Sequence, residues 1–317
     1  MRLVYYGTPA LAVPALARLV EDGRLPLLVV TRRDRPKGRG LEVAPSPVRV
    51  AAEARGLPVA TPARASAPEE IERLRALKPD LILLAAFGQI LSPELLSVPR
   101  IGALNVHFSL LPRHRGATPI QAAILAGDEE TGVTTMWMTE KLDEGPLFSS
   151  CRIPIGDEED SGSLTARLAT LAAACLSEAL TRIERGEMIR EAQDSSRATY
   201  APKIAREDLR LSLRDAPFLF ARKVRAFAPT PGAFLELERG AFLKVLAASP
   251  GSSAHGMKPG TLLAVDRSKG LEAALGEGSI WLGRVQQSGR NETSGFDYAL
   301  GARLTPGALL PVKDAGP

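Results

Sequence analysis

Cysteine is nearly absent from this 317-residue chain: there are two, Cys151 and Cys175, each in an apolar-rich segment and neither in a CxxC spacing. That excludes a disulfide framework and a cysteine zinc site as organising devices, and both thiols are expected to be small buried hydrophobes. No stretch approaches the roughly 20 uninterrupted apolar residues that crossing a bilayer requires. The opening Met1–Gly7 turns at Gly7-Thr8-Pro9 too early for a secretory apolar region, so a cytoplasmic protein without a membrane is expected. Histidine is scarce, at three, and no metal cluster, serine elbow or phosphate-binding glycine loop is apparent. The single glycine of Tyr5–Leu11, YYGTPAL, is not a dinucleotide fingerprint, so neither ATP nor NAD is implied, and no metal.

What is present is ordinary globular material. Hydrophobic residues make up 45% and charged residues 24%, against which neither disorder nor a fibrous repeat stands up. The length favours two domains at roughly 100–200 residues each. A net charge of +4 and a pI near 9.2 are compatible with a polyanionic partner without naming one.

Along the first half, strands and helices alternate: strand Leu3–Tyr6, helix Ala12–Asp22, strand Leu27–Val30, helix Val48–Arg55, strand Val59–Thr61, helix Glu69–Leu77 and strand Leu81–Ala86. The strands are apolar on consecutive residues, as expected where helices cover both faces of a parallel sheet. The fold class is therefore α/β, a doubly wound, mostly parallel, Rossmann-like sheet whose ligands belong beyond the carboxyl ends of its strands. After the long helix Ser163–Arg185 comes a polar connection, Glu187–Thr199, and then helix Phe218–Phe227. Short β-prone runs follow at 232–237, 242–247, 260–265, 271–275 and 279–285, separated by glycine or proline, and these predict a small β-barrel. The domains are placed at 1–189, a linker at 190–207, and the barrel at 208–317.

The richest stretch is Gly102–Gln121, GALNVHFSLLPRHRGATPIQ, where a strand ending at Val106 delivers Asn105 and His107 to the mouth of the sheet. Strand alternation sets both side chains on one face. The same pair would serve equally as a turn cap and a satisfied core histidine. Downstream, strand Thr131–Met138 and turn Leu142–Gly145 offer the Asp143 carboxylate from a neighbouring strand end, though an aspartate in a turn is often only a backbone acceptor.

Taken together, Asn105, His107, the run Ser109–Pro112 and Leu142-Asp143-x-Gly145 resemble the folate-dependent formyltransferase superfamily. The resemblance implies that Asn105, His107 and Asp143 are the catalytic set. It implies that Ser109, Leu110, Leu111 and Pro112, with Ala86, Phe87, Gly88 and Ile90, line a tetrahydrofolate pocket, and that 10-formyltetrahydrofolate is the formyl donor. An amine attacking a formyl carbon generates an oxyanion, for which Asn105 and His107 would supply N–H donors. Asp143 would orient His107 and relay the amine's proton through water.

The acceptor is read from other segments. Thr31–Gly40, TRRDRPKGRG, is a basic loop after the second strand, and with PSPVRVAA at Pro45–Ala52 it resembles the loop that methionyl-tRNA formyltransferases insert into the acceptor end of tRNA. Arg39 stands at its principal arginine, with Arg35 and Lys37 beside it. Further matches lie at Tyr5–Leu16, Gly127–Met136, Thr199–Ile204 and Val224–Phe234. The resemblance implies initiator methionyl-tRNA as partner, an OB-like form for the barrel and its use as a second tRNA surface, and a monomer. A sugar-nucleotide formyltransferase is the alternative within the superfamily. A glycinamide ribonucleotide transformylase leaves the last hundred residues unexplained, and a non-catalytic RNA-binding relative does not need the catalytic set.

Overall fold

The computed structural model describes residues 1–37, 42–251 and 256–313. It divides into two compact units, the first built from 1–119, 130–154 and 165–201, the second from 120–129, 155–164 and 202–317. In chain order the elements run β1 (Leu3–Gly7), α1 (Val13–Glu21), β2 (Leu28–Val30), β3 (Arg35–Lys37), β4 (Glu42–Ala44), α2 (Pro47–Glu53), β5 (Val59–Ala60), α3 (Pro68–Leu77) and β6 (Leu81–Ala85). They continue as α4 (Pro93–Leu96), β7 (Gly102–His107), β8 (Arg115–Gly116), α5 (Pro119–Ala126), β9 (Glu130–Trp137), β10 (Leu147–Pro154), α6 (Ser161–Glu184) and β11 (Tyr200–Ala201).

The main sheet of the first unit has seven strands in the order β10-β9-β7-β6-β1-β2-β5. The five from β7 to β5 are parallel; β9 alone runs the other way, pairing antiparallel with β7 on one side and with the edge strand β10 on the other. Leu3, Val4, Tyr5 and Tyr6 and their neighbours Leu81, Ile82 and Leu83 are essentially without solvent exposure, the signature of a sheet covered on both faces. Val4, Tyr6, Ile82 and Leu84 pack with Ile71 and Leu74 of α3 and with Phe87 and Leu95. Helix starts follow local chemistry: Pro47, Pro68 and Pro93 occupy first turns, where no N–H is missed, and the Ser46 and Ser92 side chains cap α2 and α4.

The basic segment Thr31–Gly40, read from sequence as a loop, contains one short strand, β3, which pairs antiparallel with β4 just beyond it, Arg35 opposite Ala44 and Lys37 opposite Glu42. Arg39 lies outside the described residues. Cys175 is buried, and burial pushes its thiol above the ordinary range, with Cys151 as a further contributor, so it behaves as a small hydrophobe. Cys151 is only half-buried.

The second unit continues with α7 (Pro217–Phe227), β12 (Ala233–Glu236), β13 (Phe242–Pro250), β14 (Leu262–Asp266), β15 (Gly270–Ala274), β16 (Ser279–Gln287), β17 (Thr293–Ser294) and α8 (Gly295–Gly301). Its six-stranded antiparallel sheet has the order β12-β13-β16-β15-β14, with β17 on β16. The core holds Phe220, Val224 and Phe227 of α7 against Leu235, Val245, Leu271, Ile280 and Leu282. The two end strands are joined by the chain's last described residues. Leu262 donates its N–H to Ala308 and Leu310 to Gly260, while Glu238 donates to Pro311 and Lys313 to Glu236. That ribbon removes the open edges which a small sheet otherwise exposes, giving the small barrel that the spacing of its strands predicts, in an arrangement consistent with an OB-like fold.

Candidate active site

β6 and β7 are adjacent and parallel, with Ala85 opposite Val106, so the loops that follow them leave the same edge of the sheet side by side. The first carries Ala86–Leu91, the second Phe108–His114. β7 extends one residue beyond the predicted end, to His107, and both Asn105 and His107 are buried on one face.

The carboxylate comes from the turn after the neighbouring strand β9, but by a return loop that the sequence did not suggest. β9 runs antiparallel to β7, with His107 opposite Thr134 and Leu104 opposite Trp137, so it exits at the far end of β7 from His107. The following loop doubles back. Gly145 is pressed against the Trp137 carbonyl, where a Cβ would stand 1.8 Å from that oxygen, and Asp143 takes the left-handed region at φ 53°. The return brings Asp143 Oδ1 to 3.5 Å from Asn105 Nδ2, and Oδ2 to 3.7 Å from His107 Nδ1. Oδ2 also accepts the Gly116 N–H at 2.8 Å.

His107 Nε2 lies 3.0 Å from the His114 carbonyl oxygen. A carbonyl only accepts, so Nε2 carries the hydrogen, and Nδ1 is the ring nitrogen left facing Asp143. His114 is itself held in the left-handed region at φ 57°, its N–H donating to Thr199 Oγ1 at 2.8 Å. β11 pairs with β8 in parallel, Tyr200 opposite Arg115 and Ala201 opposite Gly116, and a Cβ on Gly116 would meet the Ala201 oxygen at 2.5 Å. Only glycine fits there.

Three residues that sequence reading passed over complete the surroundings. Arg115 is 2% exposed; its Nε and Nη2 donate to Gln193 Oε1 at 3.1 and 2.8 Å, and its Nη1 is 3.6 Å from Glu144. Gln193 Nε2 donates to the carbonyls of Asp143 and Gly145 at 2.9 and 2.7 Å. Thr199 is the third. Gln193 and Thr199 sit in or beside a connection read as merely polar. In fact Trp137 Nε1 donates to the Ile189 carbonyl and Glu191 pairs with Leu147, so the segment is fastened across the first unit. The signal available was Gln193 itself, one amide six residues before TYAPKI.

The remaining sequence candidates take varied positions. Ser109 is fully buried, its hydroxyl spent on the Arg113 carbonyl, and the Leu111 N–H donates to Thr134 Oγ1. Leu111 is buried, Leu110 and Pro112 half-buried. Phe87 packs edge-on against Tyr6 with ring centroids 5.1 Å apart, so its side chain belongs to the core. Ala86 and Gly88 have φ of 47° and 86°, a Cβ on Gly88 would meet nothing within 4 Å, and Ile90 is 81% exposed. Arg35 and Lys37 lie on β3. Among the described residues no group of three or more His, Cys, Asp or Glu stands together to hold a metal, and no helix is long and apolar enough to cross a membrane.

Comparison with known proteins adds sequence relationships to this geometry. Residues 6–180 match the formyl transferase family and residues 203–303 the formyl transferase C-terminal domain. The methionyl-tRNA formyltransferase of Citrifermentans bemidjiense is 44% identical over 99% of this chain and 98% of its own length. That of Halorhodospira halophila is 46% identical over 96% and 98%. Among solved structures, an N-formyltransferase from Helicobacter canadensis, in complex with folinic acid and dTDP-3-aminofucose, shares the fold with a TM-score of 0.65 at 16% identity, over 89% of this chain and 98% of its own. With both formyl transferase domains matched and near-full-length identity above 40%, the chain belongs to the methionyl-tRNA formyltransferase family.

Proposed function

We infer that this protein transfers the formyl group of 10-formyltetrahydrofolate to the α-amino group of initiator methionyl-tRNA, working in the cytoplasm. The observation that carries the reading is the convergence of two N–H donors, Asn105 and His107, with one acceptor, Asp143, inside a buried notch of the sheet. Acyl transfer to an amine needs both kinds of group: donors for the oxygen that becomes negative, and an acceptor for the proton the amine loses.

The folate supplies an activated carbonyl on a nitrogen that leaves as an amine. Asn105 Nδ2–H and His107 Nδ1–H are the donors for the formyl oxygen. Because Nε2–H is committed to the His114 carbonyl, the His107 donor is the second ring proton, and the Asp143 carboxylate beside it balances the imidazolium charge. Asp143 also receives the proton released when the amine bonds to carbon, through water, and returns it to the departing nitrogen. An α-amino group with a pKa of roughly 8 is sufficiently neutral to attack unaided.

The loop Ala86–Ile90 suits the folate. Its backbone turns at Ala86 and Gly88, open space at Gly88 admits a flat ring against the chain, and exposed Ile90 offers apolar cover. Phe87 and Ser109, with side chains engaged in the protein, contribute main chain alone. Arg35, Lys37 and Arg39 hold the acceptor end of the tRNA, and residues 208–317 form its second surface. This basic segment favours tRNA over a small sugar nucleotide, since phosphate-rich partners reward clustered guanidinium groups.

The test is formyl transfer to initiator and elongator methionyl-tRNA with a UDP-amino sugar as competing acceptor. Selective formylation of the initiator is expected. Formylation of the sugar alone overturns the acceptor, and failure to bind the folate overturns the reaction class.

A further inference from the structure

We propose that Gln193 is a positioning residue for Asp143, and that the segment carrying it is part of the catalytic apparatus rather than a passive connection. The proposal rests on the reading of Asp143 as the acidic group of the formyl transfer.

An uncharged glutamine amide has two N–H donors and one oxygen with two lone pairs. At Gln193 all four are used. Both hydrogens go to the Asp143 turn, on the carbonyls of residues 143 and 145. Both lone pairs receive Arg115, through Nε and Nη2. The orientation is unambiguous, because a guanidinium only donates and a carbonyl only accepts.

The two sides of this clamp meet again at the carboxylate. On one side Gln193 fixes the backbone of Asp143, which lies in the left-handed region that non-glycine residues enter at a cost of about 1–2 kcal/mol. On the other it fixes Arg115, whose neighbour Gly116 gives its N–H to Asp143 Oδ2. Position 193 thus sets both the main chain from which the carboxylate hangs and the strand that binds its oxygen. The carboxylate's distances to Asn105 and His107, 3.5 and 3.7 Å, leave it no short, directional hydrogen bond to either partner, so its orientation depends on these supports.

Two substitutions separate positioning from bulk. Gln193→Leu keeps the volume and removes every hydrogen bond. Gln193→Glu keeps an acceptor for Arg115 but turns an oxygen toward two carbonyl oxygens. Partners that orient a reacting group from behind are typically worth 10–100-fold in activity, and both variants are expected to lose about that factor in kcat with KM for methionyl-tRNA changed less than about threefold. In an Asp143→Ala background, Gln193→Leu is expected to add less than about twofold, since groups acting through one another are not additive.

A kcat within about twofold of wild type in whichever variant folds, or the full loss recurring in the Asp143→Ala background, overturns the proposal. A second readout is independent of turnover: tryptic cleavage after Lys141, an exposed side chain in the same loop, should quicken in Gln193→Leu. Unchanged cleavage also overturns it. If the wild type transfers no formyl group while that cleavage still quickens, the proposed reaction fails and the clamp stands.

Discussion

Replacing Asp143 by asparagine isolates its charge. The amide keeps the shape of the carboxylate, and its oxygen can take over the Gly116 N–H at 2.8 Å. Its NH2 group then faces Asn105 Nδ2, donor against donor, across 3.5 Å. What disappears is the negative charge 3.7 Å from His107 Nδ1. At that separation two opposite unit charges attract by about 4.5 kcal/mol for an effective dielectric near 20. The amide dipole returns part of this, leaving a loss of about 3–4 kcal/mol, or on the order of 10²–10³ in rate. With volume and one hydrogen bond preserved the variant should still fold, and its stability should fall by no more than that same amount of about 3–4 kcal/mol, at roughly 2–4 °C in Tm per kcal/mol. Quench-flow of a single turnover on saturating folate and methionyl-tRNA, with a thermal melt on the same preparation, reads both quantities. A single-turnover rate within about threefold of wild type, in a protein that melts normally, would refute the assignment of Asp143 to the proton transfer and to charge balance at His107.

Other perturbations reach the remaining parts of the argument. Gly145→Ala places a Cβ on the Trp137 carbonyl oxygen, so the return loop has to shift; turnover should fall at least 10-fold, a 1 Å displacement of a reacting group being sufficient for more, and steady-state kinetics with near-wild-type rates would contradict the pinned loop. Trp137→Phe removes the 2.7 Å bond to the Ile189 carbonyl and weakens the Arg190 guanidinium stacked 4.2 Å above the ring. Urea unfolding should show about 1–3 kcal/mol less stability. Arg39→Ala should raise KM for methionyl-tRNA about 10-fold with kcat held, and flatten the salt dependence of binding; an unchanged KM would remove that residue from the tRNA contacts.

The amino-acid sequence by itself determined the layered α/β architecture. Its consecutive apolar runs at Leu3–Tyr6 and Leu81–Leu84 can satisfy burial on both faces only inside a covered sheet, and glycine or proline punctuation divides the barrel strands. The pairing of Asn105 with His107 was equally legible, because a period of two is a local property of any strand. Everything that completes the site is non-local. Asp143 is 38 residues from Asn105 and reaches it only because an antiparallel β9 forces its loop to double back. Gln193 and Thr199 arrive from 50 and 85 residues away from the groups they hold, in a stretch whose composition looks like a tether. Likewise the residues that join the barrel's end strands carry no periodic pattern, since main-chain hydrogen bonds make those contacts. Local spacing encodes which face a side chain occupies; which distant segment comes to meet it is decided by strand direction and register, which exist only once the chain is folded.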